Sequence, residues 1–152
     1  MAIWVTAASP SCAPRRIRTM EIERIRPSLN EDTKPYWDGL KDGRLLFQKC
    51  GHCGTIRHYP RQVCSECFSM NVEWIEASGK GKVHTWAVSH HAFHPFFKRD
   101  LPMTFVTADM DEGVRVCARL RGDGVIPSIG MPVRVAFERL DDDLTVPVFY
   151  PA

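Results

Sequence analysis

Two cysteine pairs constrain this chain more than any other feature: Cys50-Gly51-His52-Cys53 and Cys64-Ser65-Glu66-Cys67. Two residues between cysteines let one tight turn aim both sulfurs at a single ion. Residues 54–63 form a loop that brings the second pair back to the first. Gly54 directly follows the first pair, where a residue tolerant of positive φ helps the backbone N–H groups turn toward sulfur. A redox dithiol, a disulfide and an iron site are the competing readings. One pair alone leaves them open; two pairs this close favour a shared metal ion. Tetrathiolate geometry suits zinc or iron. The second knuckle lacks the Cys-Pro-x-Cys-Gly form of an electron-transfer rubredoxin, which favours zinc. Four protein ligands leave no open position, so the metal is expected to be structural. His52, inside the first knuckle, reads as a loop residue.

Composition narrows the classes of function. At 152 residues, one domain or a domain with a small module is expected. A formal charge of +2, with Arg15-Arg16-Ile17-Arg18 as the densest basic run, gives little support for nucleic acid as main partner. Cysteines kept for metal fit a reducing cytosol, so a cytoplasmic location is expected. No stretch approaches the ~20 apolar residues of a bilayer span, so no membrane contact is expected. Residues 1–19 carry their positive charges after a short apolar part, opposite to a secretory signal. They read as a disordered extension or an upstream-start artefact, with a targeting peptide as the weaker alternative. Met20 opens a more regular segment.

Residues 28–46 read as a helical entry, with Ser28 or Asn30 as cap, Glu31 and Asp32 in the first turn, and Pro35 early enough to be tolerated. Tyr36 and Trp37 have two readings, packing on the chain's own ribbon or anchoring a partner subunit. Residues 45–49 enter the first knuckle as a strand, and residues 72–76 leave the second as another. Ser78-Gly79-Lys80-Gly81 marks a module boundary. Beyond it the pattern is all-β: strands over 82–88, 104–110, 114–120, 133–138 and 145–150, with Asp111-Glu112-Gly113 as a hairpin turn. Pro147 suggests that the last strand is an edge. Five short antiparallel strands suit a small closed barrel of the OB type. The expected fold is therefore mainly β: a helical segment (20–46), a ribbon (47–76) and a five-stranded OB-fold (77–152).

This order, with Ser78-Gly79-Lys80-Gly81-Lys82-Val83 and Ile129-Gly130-Met131-Pro132-Val133 as barrel landmarks, resembles the acyl-CoA-associated family in which a rubredoxin-like zinc ribbon precedes an OB-fold. That family was long catalogued as a domain of unknown function. The resemblance covers about residues 28–150. It implies structural Zn2+ on Cys50, Cys53, Cys64 and Cys67. It also implies a non-catalytic accessory subunit, hetero-oligomeric with a thiolase-like catalytic chain, helping to form or cover a CoA-ester site.

Residues 90–97, His-His-Ala-Phe-His-Pro-Phe-Phe, resemble the family's variable first barrel loop. His90, His91 and His94 invite an acid–base or second-metal reading, yet no Asp or Glu lies within the cluster to orient them; Asp100 is the nearest in sequence. A solvated loop is the plainer alternative. The preferred reading is a contact surface: Phe93, Phe96 and Phe97 as apolar anchors, Lys98 and Arg99 facing CoA phosphates. Arg57, His58 and Arg61 on the ribbon loop form a second basic candidate, with solubilising charge at least as good a reading, and Cys117 reads as a small core residue. Arg115, Arg119 and Arg134 read as a solvated barrel face, with binding of an anionic ligand as the lesser alternative. A single-stranded nucleic-acid-binding OB-fold module and an iron electron carrier are the alternative functions.

Overall fold

The computed structural model describes residues 25–152; the expected extension over 1–19, with Cys12, lies outside them. The elements are α1 (Lys34–Lys41), β1 (Leu46–Cys50), β2 (Ile56–Arg57), β3 (Val72–Glu76), β4 (Lys80–Ser89), a 3-10 helix (Pro95–Asp100), β5 (Met103–Met110), β6 (Arg115–Leu120), β7 (Pro132–Arg139) and β8 (Thr145–Pro151).

The entry helix is far shorter than residues 28–46. Asn30 and Thr33 form a turn that leads into the helix at Lys34: Thr33 N–H donates to Asn30 Oδ1 at 2.8 Å and Lys34 N–H to Asn30 O at 2.9 Å. At the other end Gly43 adopts φ 73°, and Arg44 N–H donates to Gly39 O at 2.8 Å. The left-handed turn at Gly43 lets the Gly43 and Arg44 N–H groups take the carbonyls of Leu40 and Gly39 and stops the helix. Gly39 is also a close approach, since a β-carbon there would lie 2.8 Å from the Leu46 side chain.

β2, β1 and β3 form a small antiparallel sheet in that order. The barrel closes as β4-β5-β6-β8-β7. One pair departs from the expected all-antiparallel order: β6 and β8 run parallel, through Arg119↔Val148 and Leu120↔Phe149. The cause is the connection over 121–131, which carries the chain from β6 to β7; β8, antiparallel to β7, then returns alongside β6 in the same direction. Pro147 does not make β8 an edge. It stands opposite Phe137 in the β7 ladder, one residue before pairing with β6 begins, where a missing N–H is tolerated.

Alternation in β6 sends Val116, Ala118 and Leu120 inward and leaves Arg115, Cys117 and Arg119 on the outer face. Cys117 is therefore exposed, not a core residue. Ribbon and barrel share one core: Tyr36, Leu40, Leu45 and Phe47 belong to the same buried cluster as Val83, Val106, Val133 and Phe149. Ala77 N–H donates to Leu45 O at 2.8 Å across the junction. Among the described residues no helix is long and apolar enough to cross a membrane.

Candidate metal centre and contact surface

The two knuckles are built alike. Cys50 O accepts from Gly54 N–H at 2.9 Å, and Cys50 N–H donates to Thr55 O at 2.9 Å. Cys64 repeats both bonds, with Phe68 N–H and Ser69 O, each at 3.0 Å. Each turn needs a left-handed residue four positions after its first cysteine. Gly54 supplies φ 75° in one and Phe68 φ 59° in the other.

The sulfurs of Cys50, Cys53, Cys64 and Cys67 all lie within 4.8 Å of one another. The shortest approaches run between knuckles, Cys50 to Cys67 and Cys53 to Cys64, each 3.6 Å. Zinc–sulfur bonds of about 2.3 Å in a tetrahedron place sulfurs about 3.8 Å apart, whereas a disulfide would place two at about 2.05 Å. The donor set fits a zinc ion held by four thiolates. Backbone N–H groups of Cys53 and His52 lower the Cys50 thiol to about 6. The Thr55 hydroxyl, 3.1 Å from Cys53 Sγ, lowers that thiol as well. The Ser69 N–H lowers Cys67, but burial and the other three sulfurs outweigh it and push that thiol up to about 12. Four thiolates this close cannot all ionise without a cation between them. Zinc bound here supplies folding free energy and no vertex for a reactant. His52 is exposed and contributes its backbone alone.

Arg57 and His58 are not the solubilising charges that the sequence suggests. Arg57 is only 8% exposed: Nε donates to Gln48 Oε1 at 2.7 Å and Nη2 to Arg61 O at 3.0 Å. His58 stacks among Tyr59 (4.1 Å between ring centroids), Tyr36 (5.3 Å) and Phe47 (5.5 Å). Burial lowers its pKa to about 4. Tyr36, 3% exposed, is thus spent on the internal packing of its two readings. Trp37 lines an open cleft of about 650 Å³ with Leu29, Lys34 and Leu144.

The loop between β4 and β5 gathers most of the remaining residues of interest. His91, Phe93, His94 and Phe97 line an apolar groove of about 460 Å³ over Met103 and Phe105. Phe93 is 93% exposed; Phe96 and Phe97 are half-buried and meet edge to face at 5.2 Å. His94 Nδ1 accepts from Phe96 N–H at 3.3 Å and caps the 3-10 helix. His90, Lys98 and Arg99 are exposed. Asp100, the nearest carboxylate in sequence, is bound by Arg119. Met103, Phe105, Ser89 and Ile25 complete the groove. Phe105 carried a signal: it falls on the outward register with Thr107 and Asp109, where an apolar ring is out of place.

Comparison with known proteins follows the same division. Residues 37–73 match a family described as "ChsH2, rubredoxin-like zinc ribbon domain", and residues 74–138 one described as "ChsH2, C-terminal OB-fold domain". A solved "Ltp2-ChsH2(DUF35) aldolase" chain is 36% identical with a TM-score of 0.74, over 83% of this chain and 98% of that one. A "probable enoyl-CoA hydratase alpha subunit" of Thermomonospora curvata is 37% identical over 85% of this chain, which spans 40% of that protein. The "benzoylsuccinyl-CoA thiolase subunit BbsA" of Geobacter metallireducens is 29% identical over 55% of this chain, which spans 56% of that one. With its four-cysteine ribbon running into a closed five-stranded barrel, the chain belongs to the DUF35 family of ChsH2-type zinc-ribbon and OB-fold proteins.

Proposed function

We propose that this chain is a non-catalytic subunit of a complex that processes CoA esters, partnered with a thiolase-like catalytic chain that makes or breaks a carbon–carbon bond. The observation that carries the reading is the loop over 90–100. It combines an exposed phenylalanine, an apolar groove and two exposed cations in one short segment, in a chain whose relatives are named as an aldolase, a hydratase alpha subunit and a thiolase subunit. An apolar patch of this kind is covered in a working assembly. Lys98 and Arg99, exposed and next in sequence to Phe97, would serve as donors for the phosphates of a CoA ester. The metal centre serves as a staple, with cysteines occupying every tetrahedral position. The histidines of the loop have their obvious carboxylate, Asp100, committed to Arg119, which speaks for contact and against acid–base work.

The test is gentle affinity purification of the full chain, identification of the co-eluting protein, and a CoA-ester cleavage assay. A larger chain bearing a nucleophilic cysteine, active only as the complex, supports the reading. Turnover by this chain alone, or salt-dependent binding of single-stranded oligonucleotides in place of a protein partner, contradicts it.

A further inference from the structure

The groove beneath the 90–100 loop is held from outside the loop. Arg119 on β6 donates from Nη1 to Asp100 Oδ2 at 3.0 Å and from Nη2 to Asp100 O at 3.1 Å. β6 is not one of the strands this loop connects; it is the next strand over from β5. Arg119 stands opposite Phe105 in the β5–β6 ladder, and Phe105 is part of the groove. Its side chain is only 19% exposed, so the two bonds form partly out of water. Asp100 is the last residue of the 3-10 helix, and its carbonyl is one of the terminal acceptors that the helix cannot satisfy itself. One planar guanidinium thus binds the helix end through both side chain and backbone, a fork that an ammonium cannot reproduce.

The other end of the loop is held locally. Ser89 Oγ donates to His91 O at 3.0 Å, and Phe97 N–H to His94 O at 3.0 Å. With both ends fixed, Phe97 stays over Met103 and Phe105.

We propose that Arg119 is a positioning residue: its two bonds to Asp100 hold the 3-10 helix against the barrel, so that the groove exists before any partner arrives. This rests on the loop being the contact surface, as argued above. A surface ordered in advance does not lose that conformational freedom on binding, so the effect on affinity is entropic.

The experiment compares wild type, Arg119→Ala, Arg119→Lys and Asp100→Asn. Hydrogen exchange over residues 90–101 and the Met103 methyl chemical shift are read on the free chain. Calorimetric affinity is read with the catalytic chain recovered by the purification above. Thermal melting and zinc content serve as controls. Arg119→Ala is expected to speed exchange over 90–101 about tenfold while leaving the barrel strands unchanged, and to move the Met103 methyl toward its solvent-exposed shift. It weakens partner binding about tenfold through the entropy of binding, with the heat-capacity change unaltered. Arg119→Lys falls in between. Asp100→Asn is also intermediate, because the backbone bond survives. Unchanged exchange in Arg119→Ala overturns the proposal, and so does a loosened loop that binds the partner with wild-type affinity. If the unsubstituted chain recovers no catalytic partner, the functional reading above fails instead, and the clamp is judged by exchange and methyl shift on the free chain.

Discussion

Gly54 and Phe68 occupy the same place in the two zinc knuckles, each donating its N–H to the first cysteine's carbonyl from a left-handed backbone, at φ 75° and φ 59°. Glycine adopts this conformation freely. For phenylalanine it carries a steric cost on the order of 1–2 kcal/mol. Phe68 is largely exposed, so its ring gains little packing in return.

Phe68→Gly is therefore expected to stabilise the zinc-bound protein by about 0.5–1 kcal/mol, once the larger unfolded-state freedom of glycine is subtracted. Gly54→Ala should cost about 1 kcal/mol. A β-carbon there meets nothing within 4 Å, so that loss is conformational alone. Urea unfolding in the presence of zinc measures both.

His58 makes stability depend on pH. Its folded pKa is depressed to about 4 by burial, while an unfolded histidine titrates near about 6.5. Between these values the unfolded state binds the extra proton, so stability is full above about 6.5 and falls as pH drops toward 4. The loss is of order 3 kcal/mol. His58→Phe, which keeps a ring among Tyr36, Phe47 and Tyr59, should flatten that slope in melts at a series of pH values.

Gln48 answers Arg57. Its Oε1 accepts from Arg57 Nε at 2.7 Å and from Arg61 N–H at 2.8 Å, and both Gln48 and Arg57 are buried. Gln48→Ala strands a buried guanidinium and should cost about 2–3 kcal/mol. Gln48→Glu keeps both acceptors and adds a counter-charge, so its loss is expected to be smaller. Equilibrium unfolding of the two variants at neutral pH separates them.

Zinc removal should reach beyond the ribbon. Leu40, Leu45 and Phe47 pack in the cluster that contains Val83, Val133 and Phe149. Chelation, or Cys64→Ser, is expected to lower the melting of the barrel together with that of the ribbon, in one transition. Circular dichroism and tryptophan fluorescence followed during chelator titration check that the two parts respond together.

Local rules made the metal centre and most of the barrel legible. Cysteine spacing needs only a turn, and the alternation of Val114, Val116, Ala118 and Leu120 marks the inward face of β6 and its approach. That alternation also places Cys117 outward, against the expectation of a small core residue drawn from the apolar run around it. The helix over 28–46 failed because Gly43 and the Asn30–Thr33 turn act as stop and start more strongly than the apolar spacing acts as helix. His58 is covered by α1 folding back through Tyr36, and Arg57 is held by Gln48 on the neighbouring strand and by the Arg61 carbonyl; no local pattern encodes either contact. The Arg119–Asp100 bond and the parallel β6–β8 pair are long-range in the same way.

The central claim is that this chain assists chemistry performed elsewhere. Its most direct test is steady-state CoA-ester turnover by the purified catalytic partner, measured with and without this chain and with Phe93→Ser. The account predicts no turnover by this chain alone, a large rise on adding it to the partner, and a loss of that rise with Phe93→Ser at unchanged melting temperature. Turnover by this chain alone, or partner activity indifferent to its addition, contradicts the account.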